Sequence, residues 1–476
     1  MSNSSQASQR IAALLDDNSF VEIGAMVTAR ATDFNLKQTE TPSDGVITGY
    51  GVIDGNLVYV YSQDVSVLNG TIGEMHAKKI TNLYDLALKT GAPVIGLIDS
   101  AGLRLQEATD ALNAFGEIYM KQTLASGVIP QITAIFGKCG GGLALVPTLT
   151  DFTFMEEKNA KLFVNSPNAL DGNNIGKCDT SGSQFQSEES GIVDVVADEA
   201  TILTQIRTLV GMLPANNEDD LSYEECTDDL NRTCAELANC AGDTSIALSN
   251  IADHGEFFEL KGNFAKEMVT GFIKLNGVTV GAVANRCEVY DEEGKIAEKY
   301  DSVLTANGCE KAADFVNFCD AFGIPVLSLT NVKGYQATKC SEKRIAKAVA
   351  KLTYAFANAT VPKVNVIVGK AFGTAYVAMN SKAIGCDITM AWPDAEIGTM
   401  DAKLAAGIMY EGQGADVINE KAAEYAALQT SVTSAAGRGY VDQVIEAVDT
   451  RKYVIGAFEM LFTKRDDRPA KKHGTV

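Results

Sequence analysis

The stretch PQITAIFGKCGGGLALV, residues 130–146, places four glycines and one lysine directly behind an apolar, β-branched run. A second stretch, PKVNVIVGKAFGTAYVA at 362–378, repeats this pattern 232 positions later without a gap. At the same offset, GAPVIGLIDSAG at 91–102 matches GIPVLSLTNVKG at 323–334. Solenoid repeats have much shorter periods, so the pattern indicates an internal duplication of a whole α/β unit.

The duplication predicts two halves, at 1–225 and 241–476, joined through the acidic stretch NNEDDLSYEECTDD at 216–229. In each half, helical spacing gives way after Gly-x-Pro to a near-continuous apolar run, as expected for a strand buried on both faces. Another helix and a second strand follow, and the glycine-rich turn should start a further helix, at 142–149 and at 374–384. We therefore expect βαβ units with parallel strands and layered helices.

Composition narrows the function classes. The 476 residues are 46% hydrophobic and 21% charged, as in a globular protein, and the net charge of −21 argues against nucleic acid or an anionic membrane as main partner. No apolar run approaches the roughly 18 residues of a membrane span, and the N-terminus lacks the features of an export signal, so we expect a cytoplasmic protein. Ten cysteines without a CxxC pair and three histidines outside HExxH or GxSxG predict neither a metal site nor a histidine-driven hydrolase.

The glycine-rich turns have a chemical interpretation. Glycines between a strand and a helix let a ligand approach the backbone and leave N–H groups facing it. The helix dipole favours negative charge, and each preorganised donor to an oxyanion typically contributes about 10²–10³ in rate. The alternative is a glycine required only for tight packing of strand against helix. Two copies at equivalent positions favour a reaction in which two carbonyl oxygens gain charge.

One family resembles the chain along nearly its whole length. The similar stretches include DGVITGYGVIDGNLVYVYSQDVSV (44–67), GAPVIGLIDSAGLRLQEA (91–108), ASGVIPQITAIFGKCGGG (125–142), GFIKLNGVTVGAVAN (271–285), AWPDAEIGTM (391–400) and RGYVDQVI (438–445). They resemble the carboxyltransferase subunits of biotin-dependent acyl-CoA carboxylases and decarboxylases, of the propionyl-CoA carboxylase β type. The resemblance implies an α/β protein with two tandem crotonase-like (ClpP/crotonase) domains built of ββα superhelical units.

The resemblance also implies the reaction and its site. A carboxyl group would move between the ureido N1′ of carrier-bound biotin and the α-carbon of a short acyl-CoA thioester, of the propionyl-/methylmalonyl-CoA class. Two enolates then need stabilisation. Carried over by position, the N–H groups of Gly141 and Gly142 would serve the thioester. The N–H groups of Thr374 and Ala375 would stabilise the enolate of the biotin ureido group. The substrate-binding positions implied in the same way are Ala101, Gly102, Arg104, Gly373, Tyr376 and Val377.

The sequence departs from the family on the biotin side. Gly-Thr-Ala-Tyr-Val at 373–377 stands where the family usually has Gly-Gly-Ala-Tyr-Asp, and NVKGYQATKCSE at 331–342 lacks the Asp, Pro and Phe of an Asp-x-Pro-Gly-Phe loop. The threonine N–H still donates, but its side chain would approach biotin, and Val377 leaves the acyl group open. Arg104 suits either a CoA phosphate or an ordering ion pair with Glu107.

The expected partners follow from motifs missing in the sequence. It contains no AMKM-like biotinylation site and no ATP-binding motif, so a biotin carboxyl carrier protein and a biotin carboxylase or membrane decarboxylase subunit would be separate chains. The resemblance implies a homo-oligomer, expected as a hexamer (trimer of dimers), with sites between the first half of one protomer and the second half of another.

The direction of the reaction stays open at this point. A sodium-pumping decarboxylase of methylmalonyl-CoA or glutaconyl-CoA would use the same motifs as a carboxylase. Two hypotheses from different classes also stand beside the carboxyltransferase. One is a hydratase-like enzyme that uses a single half, and the second is a catalytically degenerate subunit that only binds the carrier.

Overall fold

The computed structural model describes residues 5–30, 40–219, 225–291 and 293–469. The chain forms two compact units, Met1–Ser222 and Tyr223–Val476. The second unit includes residues 225–240, which the predicted boundary at 241 leaves out, and Cys234, Leu237 and Cys240 are buried in its core.

The N-terminal unit is built on an eight-stranded sheet. Its strands are β1 (Val21–Ile23), β2 (Val46–Ile53), β3 (Asn56–Gln63), β4 (Val94–Ser100), β5 (Gln131–Gly140), β6 (Phe152–Glu156), β7 (Lys161–Phe163) and β8 (Val195–Ala197). The order is β1-β2-β3-β4-β5-β6-β8, and β7 pairs with the end of β5. The first three strands are antiparallel, and all later pairs are parallel, as predicted for the βαβ part.

Helices of this unit are α1 (Gln6–Leu14), α2 (Glu74–Thr90), α3 (Ala108–Ala125), α4 (Leu145–Thr148), α5 (Ser183–Glu188) and α6 (Glu199–Met212). The helix α2 shows how the sequence sets the boundaries. Apolar residues at helical spacing, among them Ile80, Leu83 and Ala87, are buried in the core. Gly91 then caps the helix with a φ of +63°, a left-handed conformation that glycine adopts at little cost, and Pro93 leads into β4.

The C-terminal unit repeats this plan. Its strands are β9 (Phe257–Leu260), β10 (Met268–Leu275), β11 (Val278–Asn285), β12 (Glu288–Tyr290), β13 (Ile296–Lys299), β14 (Val326–Val332), β15 (Lys363–Phe372), β16 (Ile388–Ala391), β17 (Glu396–Gly398) and β18 (Gln443–Val444). The sheet order is β18-β16-β15-β14-β11-β10-β9 with β17 beside β15, and β12 and β13 form a separate two-stranded ribbon. Its helices are α7 (Leu237–Cys240), α8 (Thr244–Ile251), α9 (Ala306–Ala321), α10 (Lys339–Glu342), α11 (Ile345–Asn358), α12 (Gly373–Ala378), α13 (Ala402–Met409), α14 (Ala415–Tyr425), α15 (Val432–Gly437) and α16 (Thr450–Leu461).

Equivalent elements of the two units lie at fixed offsets. The strands β4 and β14, and likewise β5 and β15, begin and end 232 positions apart. The hairpins β2–β3 and β10–β11 begin and end 222 positions apart, with the same pairing register. The segment between β11 and α9 is ten residues longer (232 − 222) than its counterpart between β3 and α2, and it contains the β12–β13 ribbon. The predicted duplication is thus visible strand by strand.

A buried lysine recurs at the same offset. Lys79 on α2 donates to the carbonyl oxygens of Ser43 and Val46, and Lys311 on α9 donates to those of Lys261 and Phe264 at 2.8 and 2.9 Å. Both ammonium groups therefore bind backbone carbonyls that lie at or before the first strand of the hairpin in their unit.

Among the described residues, no helix combines the length and the apolar character needed to cross a membrane.

Candidate active site

The glycine-rich turn of the N-terminal unit joins β5 to a short helical segment. A 3₁₀ turn, Gly141–Ala144, precedes α4, so the predicted helix at 142–149 is present but irregular. Gly141 has a φ of +64°, which favours glycine. A Cβ on Gly140 would lie 2.6 Å from the Phe163 ring. Because the first N–H groups of a helical segment have no intrahelical acceptor, this turn presents backbone donors.

The C-terminal turn has the same backbone conformation. The strand β15 ends at Phe372, and α12 begins at Gly373, whose φ is also +64°. The helix predicted at 374–384 is too long, because α12 ends at Ala378. Just past its end, the carbonyl of Met379 accepts from Asn365 Nδ2 at 3.4 Å, and Thr330 Oγ1 donates to Asn365 Oδ1 at 2.8 Å.

A second glycine in each strand explains the Gly-Lys pair that precedes the turn. A Cβ on Gly137 would lie 1.9 Å from Asp99 Oδ1, and one on Gly369 would lie 2.7 Å from Asn331 Oδ1. The absence of a side chain at these glycines therefore leaves room for the polar side chain at the end of the neighbouring strand. Packing, rather than chemistry, accounts for this position in both units.

The divergent loop at 331–342 keeps the backbone path of its counterpart. The Leu304 N–H donates to the carbonyl of Gly334, and the Leu304 carbonyl accepts from the N–H of Gln336, both at 2.9 Å. The N-terminal loop has the same pair of bonds around Ile72, 232 positions earlier. The substitutions in this loop have changed its side chains without changing this local pairing.

A cavity of about 770 Å³ adjoins the C-terminal turn. It brings together the five residues that the sequence assigned to this side, namely Gly373, Thr374, Ala375, Tyr376 and Val377. Burial raises the pKa of Tyr376 to about 12, so its hydroxyl is neutral at physiological pH.

Several cavity residues were not predicted. Tyr335 lies on the wall and its hydroxyl donates to Thr374 Oγ1 at 2.7 Å. Lys333 and Arg438 add two positive side chains to the lining. The sequence offers one signal for Tyr335, since it lies in the loop at 331–342 that departs from the family pattern.

Arg104 has an internal role. Its side chain is 1% exposed, and Nη1 lies 2.7 Å from Asp44 Oδ1 and 2.8 Å from Glu107 Oε1, while Nη2 donates to the carbonyl of Thr71. Burial raises the pKa of Asp44 to about 6, against the opposing effect of Arg104. Of the two expected roles, the structure contains the ordering ion pair, and Arg104 is not accessible to a CoA phosphate.

The remaining N-terminal candidates lie in different surroundings. Ala101 is exposed and lines a cavity of about 560 Å³, whose lining includes neither Gly141 nor Gly142. Gly102 is buried, with a φ of +94°. At the turn itself, the hydroxyl of Tyr119 donates to the carbonyl of Gly142 at 2.6 Å. Of the residues predicted for this unit, Ala101 is the one that lines this cavity.

Comparison with known proteins places these features in context. The model of the carboxyl transferase domain matches residues 2–476. Methylmalonyl-CoA decarboxylase subunit alpha of Propionigenium modestum is 38% identical, the alignment covering 99% of this chain and 92% of that protein. Propionyl-CoA carboxylase beta chain of Roseobacter denitrificans is 39% identical, with 99% and 93% covered. The structure of transcarboxylase 12S, described as a hexamer assembly with hydrolysed methylmalonyl-CoA bound, superposes with a TM-score of 0.91 at 36% identity, covering 98% of this chain and 92% of that chain.

Proposed function

This chain belongs to the carboxyl transferase family, and we propose that it moves a carboxyl group between carrier-bound biotin and the α-carbon of a short acyl-CoA through two backbone oxyanion sites. The observation that carries this proposal is the pair of matched turns. Gly141 and Gly373 stand 232 positions apart, each directly follows the equivalent strand, and each has a φ of +64°. Both turns offer N–H donors where a carbonyl oxygen can gain charge.

The propionyl-CoA and methylmalonyl-CoA pair is the proposed substrate. The relatives differ in direction, one being a decarboxylase subunit and another a carboxylase subunit. Their names nevertheless share one chemistry, because adding a carboxyl group to the α-carbon of propionyl-CoA makes methylmalonyl-CoA. The solved relative was also studied with methylmalonyl-CoA. A sodium-pumping decarboxylase that uses this pair remains the second candidate, favoured by the similarity to the Propionigenium subunit.

The N-terminal turn is proposed to bind the thioester carbonyl. Gly142 is exposed, so its N–H can meet a substrate oxygen, and Gly141 is half-buried behind it. The carbonyl of Gly142 accepts a hydrogen bond from Tyr119, which fixes the peptide that directly follows the two proposed donors. Removal of the α-proton or the α-carboxyl group would place charge on the thioester oxygen, where these donors stabilise it.

The C-terminal turn is proposed to bind biotin, and its residues fit that group. The turn adjoins a cavity of about 770 Å³, large enough for a ureido ring, and Thr374 and Ala375 carry the backbone donors on its wall. When bound, biotin supplies or accepts the transferred carboxyl group. Lys333 and Arg438 on the same wall add positive potential, which favours a carboxylated ligand. The retained backbone bonds of the loop at 331–342 support a working site over a degenerate one.

Self-association is also proposed, together with separate carrier and partner chains. Two helices have large apolar side chains on exposed faces. These side chains are Leu112, Met120 and Leu124 on α3 and Leu404, Ile408 and Met409 on α13. Such clustered exposure is typical of protein interfaces, and a hexamer is the state described for transcarboxylase 12S. A stable and active monomer in size analysis would contradict this part of the proposal.

The deciding experiment measures transfer of label from methylmalonyl-CoA or malonyl-CoA to biocytin by the purified chain. Two variants accompany it. Thr374→Pro removes an N–H donor in the first turn of α12, where proline is tolerated, and Thr374→Ser keeps that donor. We expect transfer by the wild type and by Thr374→Ser, and a loss of about 10²–10³ in rate for Thr374→Pro. Equal transfer by all three proteins would refute the C-terminal oxyanion site.

A further inference from the structure

The two turns differ in one respect that the duplication does not explain. In the N-terminal turn the second position is Gly142, which has no side chain, and Tyr119 donates to its carbonyl. In the C-terminal turn the second position is Thr374, and Tyr335 donates to its hydroxyl oxygen at 2.7 Å. The two tyrosines come from different places, Tyr119 from α3 and Tyr335 from the loop after β14. Only the C-terminal turn therefore presents a hydroxyl group.

The donor in this pair is assigned from the acidity of the two hydroxyl groups. One hydrogen lies between the two hydroxyl oxygens, and it is the tyrosine's, since the phenol is the better donor. Thr374 keeps its own hydrogen, and among the described residues its hydroxyl makes no other hydrogen bond. Residue 370, four positions earlier, belongs to β15, so the usual helical acceptor for a threonine hydroxyl is not in place.

The free hydrogen lies at the cavity. Thr374 is exposed, and both Thr374 and Tyr335 line the 770 Å³ cavity together with Ala375. The hydroxyl and the two backbone donors of this turn thus belong to two adjacent residues of one wall. A donor that already accepts a hydrogen bond is polarised by it, which strengthens its own donation.

We propose that the Thr374 hydroxyl is a third donor of the C-terminal oxyanion site, and that Tyr335 is a positioning residue that orients and polarises it. The inference rests on the proposed function, because the charge to be stabilised is that on the ureido oxygen of biotin. The β-branched residue that departs from the family pattern then contributes to the reaction instead of obstructing it. The tyrosine in the divergent loop is the matching change.

The test uses the intact purified enzyme and five variants: Thr374→Val, Thr374→Ser, Tyr335→Phe, the double variant Thr374→Val with Tyr335→Phe, and Thr353→Val as a matched control on α11. Thr353 donates to its own helix at Val349 and does not line the cavity. The first readout is the dissociation constant of biocytin by calorimetry without any CoA ester. The second is kcat and KM for methylmalonyl-CoA-dependent carboxylation of biocytin.

We expect Thr374→Val to weaken biocytin binding about 2- to 10-fold, as for loss of one neutral hydrogen bond. Its kcat should fall further, about 10- to 100-fold, because the lost donor faces more charge in the transition state. Thr374→Ser should restore both values to within about threefold of the wild type. Tyr335→Phe should lower kcat about 3- to 10-fold, and the double variant should be no slower than Thr374→Val, since the tyrosine acts through the threonine.

Three results would overturn the inference. These are wild-type binding and kcat in Thr374→Val, equal impairment of Thr374→Ser and Thr374→Val, or a double variant in which the two effects multiply. The proposed function fails separately. If Thr374→Pro loses transfer while Thr374→Val keeps the wild-type kcat and biocytin affinity, only the hydroxyl role is wrong, whereas full activity of Thr374→Pro removes the backbone site itself.

Discussion

Single residues in the glycine turns have separable roles. Gly141 is needed for its left-handed backbone, and a Cβ there would meet no neighbour within 4 Å. Gly142 has no such backbone requirement, and its Cβ would lie 3.1 Å from the Tyr119 hydroxyl. The conformational requirement therefore lies at one position and the exposed N–H at the next.

Gly142→Pro tests that separation. Proline at this first-turn position removes the N–H and leaves the helical segment possible, so transfer from methylmalonyl-CoA to biocytin should fall about 10²–10³-fold. Gly142→Ala introduces the same Cβ near Tyr119 and keeps the N–H, so it should lose far less. Size analysis of each variant checks that it assembles like the wild type, so that a lower rate reports on the site. Equal losses in the two variants would assign the effect to crowding and exclude the donor.

Val377 tests whether the cavity at the C-terminal turn also contributes to selection of the acyl group. Its side chain is half-buried on the wall, so Val377→Asp replaces apolar surface with charge. We expect kcat/KM for ethylmalonyl-CoA relative to malonyl-CoA to fall about tenfold, the scale of one or two methylene contacts. Val377→Asn introduces an uncharged side chain of the same shape as aspartate, so comparison of the two variants separates the effect of charge from that of polarity. An unchanged ratio across malonyl-, methylmalonyl- and ethylmalonyl-CoA would exclude Val377 from acyl selection.

At the scale of elements, the end of α12 shows where sequence reasoning stops. The strands before the turn were predictable because each is a local apolar run bounded by proline and glycine. The helix end was not, because it depends on a residue held from far along the chain. Asn380 has a φ of +51°, is fully buried, and donates to Ser328 Oγ at 3.0 Å and to the carbonyl of Val364 at 3.3 Å.

Asn380→Ala should destabilise the C-terminal unit more than Asn380→Gly. Both lose the buried hydrogen bonds, at roughly 1 to 3 kcal/mol, but alanine also pays about 1 to 2 kcal/mol for the left-handed backbone. The thermal midpoint of Asn380→Ala should therefore lie about 2 to 8 °C below that of Asn380→Gly. Scanning calorimetry on the two variants measures this difference. The reverse order would show that the backbone at this position is not strained.

At the scale of the whole molecule, much was predictable from the sequence alone. The two tandem crotonase-like domains and the parallel strands are confirmed. They could be predicted because the duplication and the strand signals are carried by contiguous residues. The contacts that individual side chains make could not be predicted in this way. Arg104 pairs with Asp44, sixty positions away, and Tyr335 meets Thr374 across 39 positions. No local pattern predicts which of many distant polar residues will become neighbours.

The paired buried lysines give the whole molecule a pH dependence. Burial lowers the pKa of Lys79 to about 8 and that of Lys311 to about 7, from 10.5. Between each lowered pKa and 10.5 the unfolded chain binds more protons than the folded one, so stability rises with pH across that window. The same contribution is lost as the pH falls toward 8 for Lys79 and toward 7 for Lys311.

Lys311→Met should flatten this dependence. The variant will be less stable at every pH, since the carbonyls of Lys261 and Phe264 lose their donor. The stability gap to the wild type should widen as the pH rises from about 7.5 to 9.5, because only the wild type gains the Lys311 contribution. Urea unfolding at several pH values measures the gap, and the contribution of Lys79, which is common to both proteins, cancels. Parallel curves would mean that Lys311 does not titrate in this range.

The β12–β13 ribbon marks a place where one half of the chain is ten residues longer than the other. The strands on either side, β11 and β14, still match β3 and β4 in length and pairing. Chain length has therefore already been altered here without disturbing the sheet. The exposed tip around Gly294 is accordingly a suitable attachment point for an affinity tag or a fluorescent reporter, which could follow assembly and turnover with both termini left untouched.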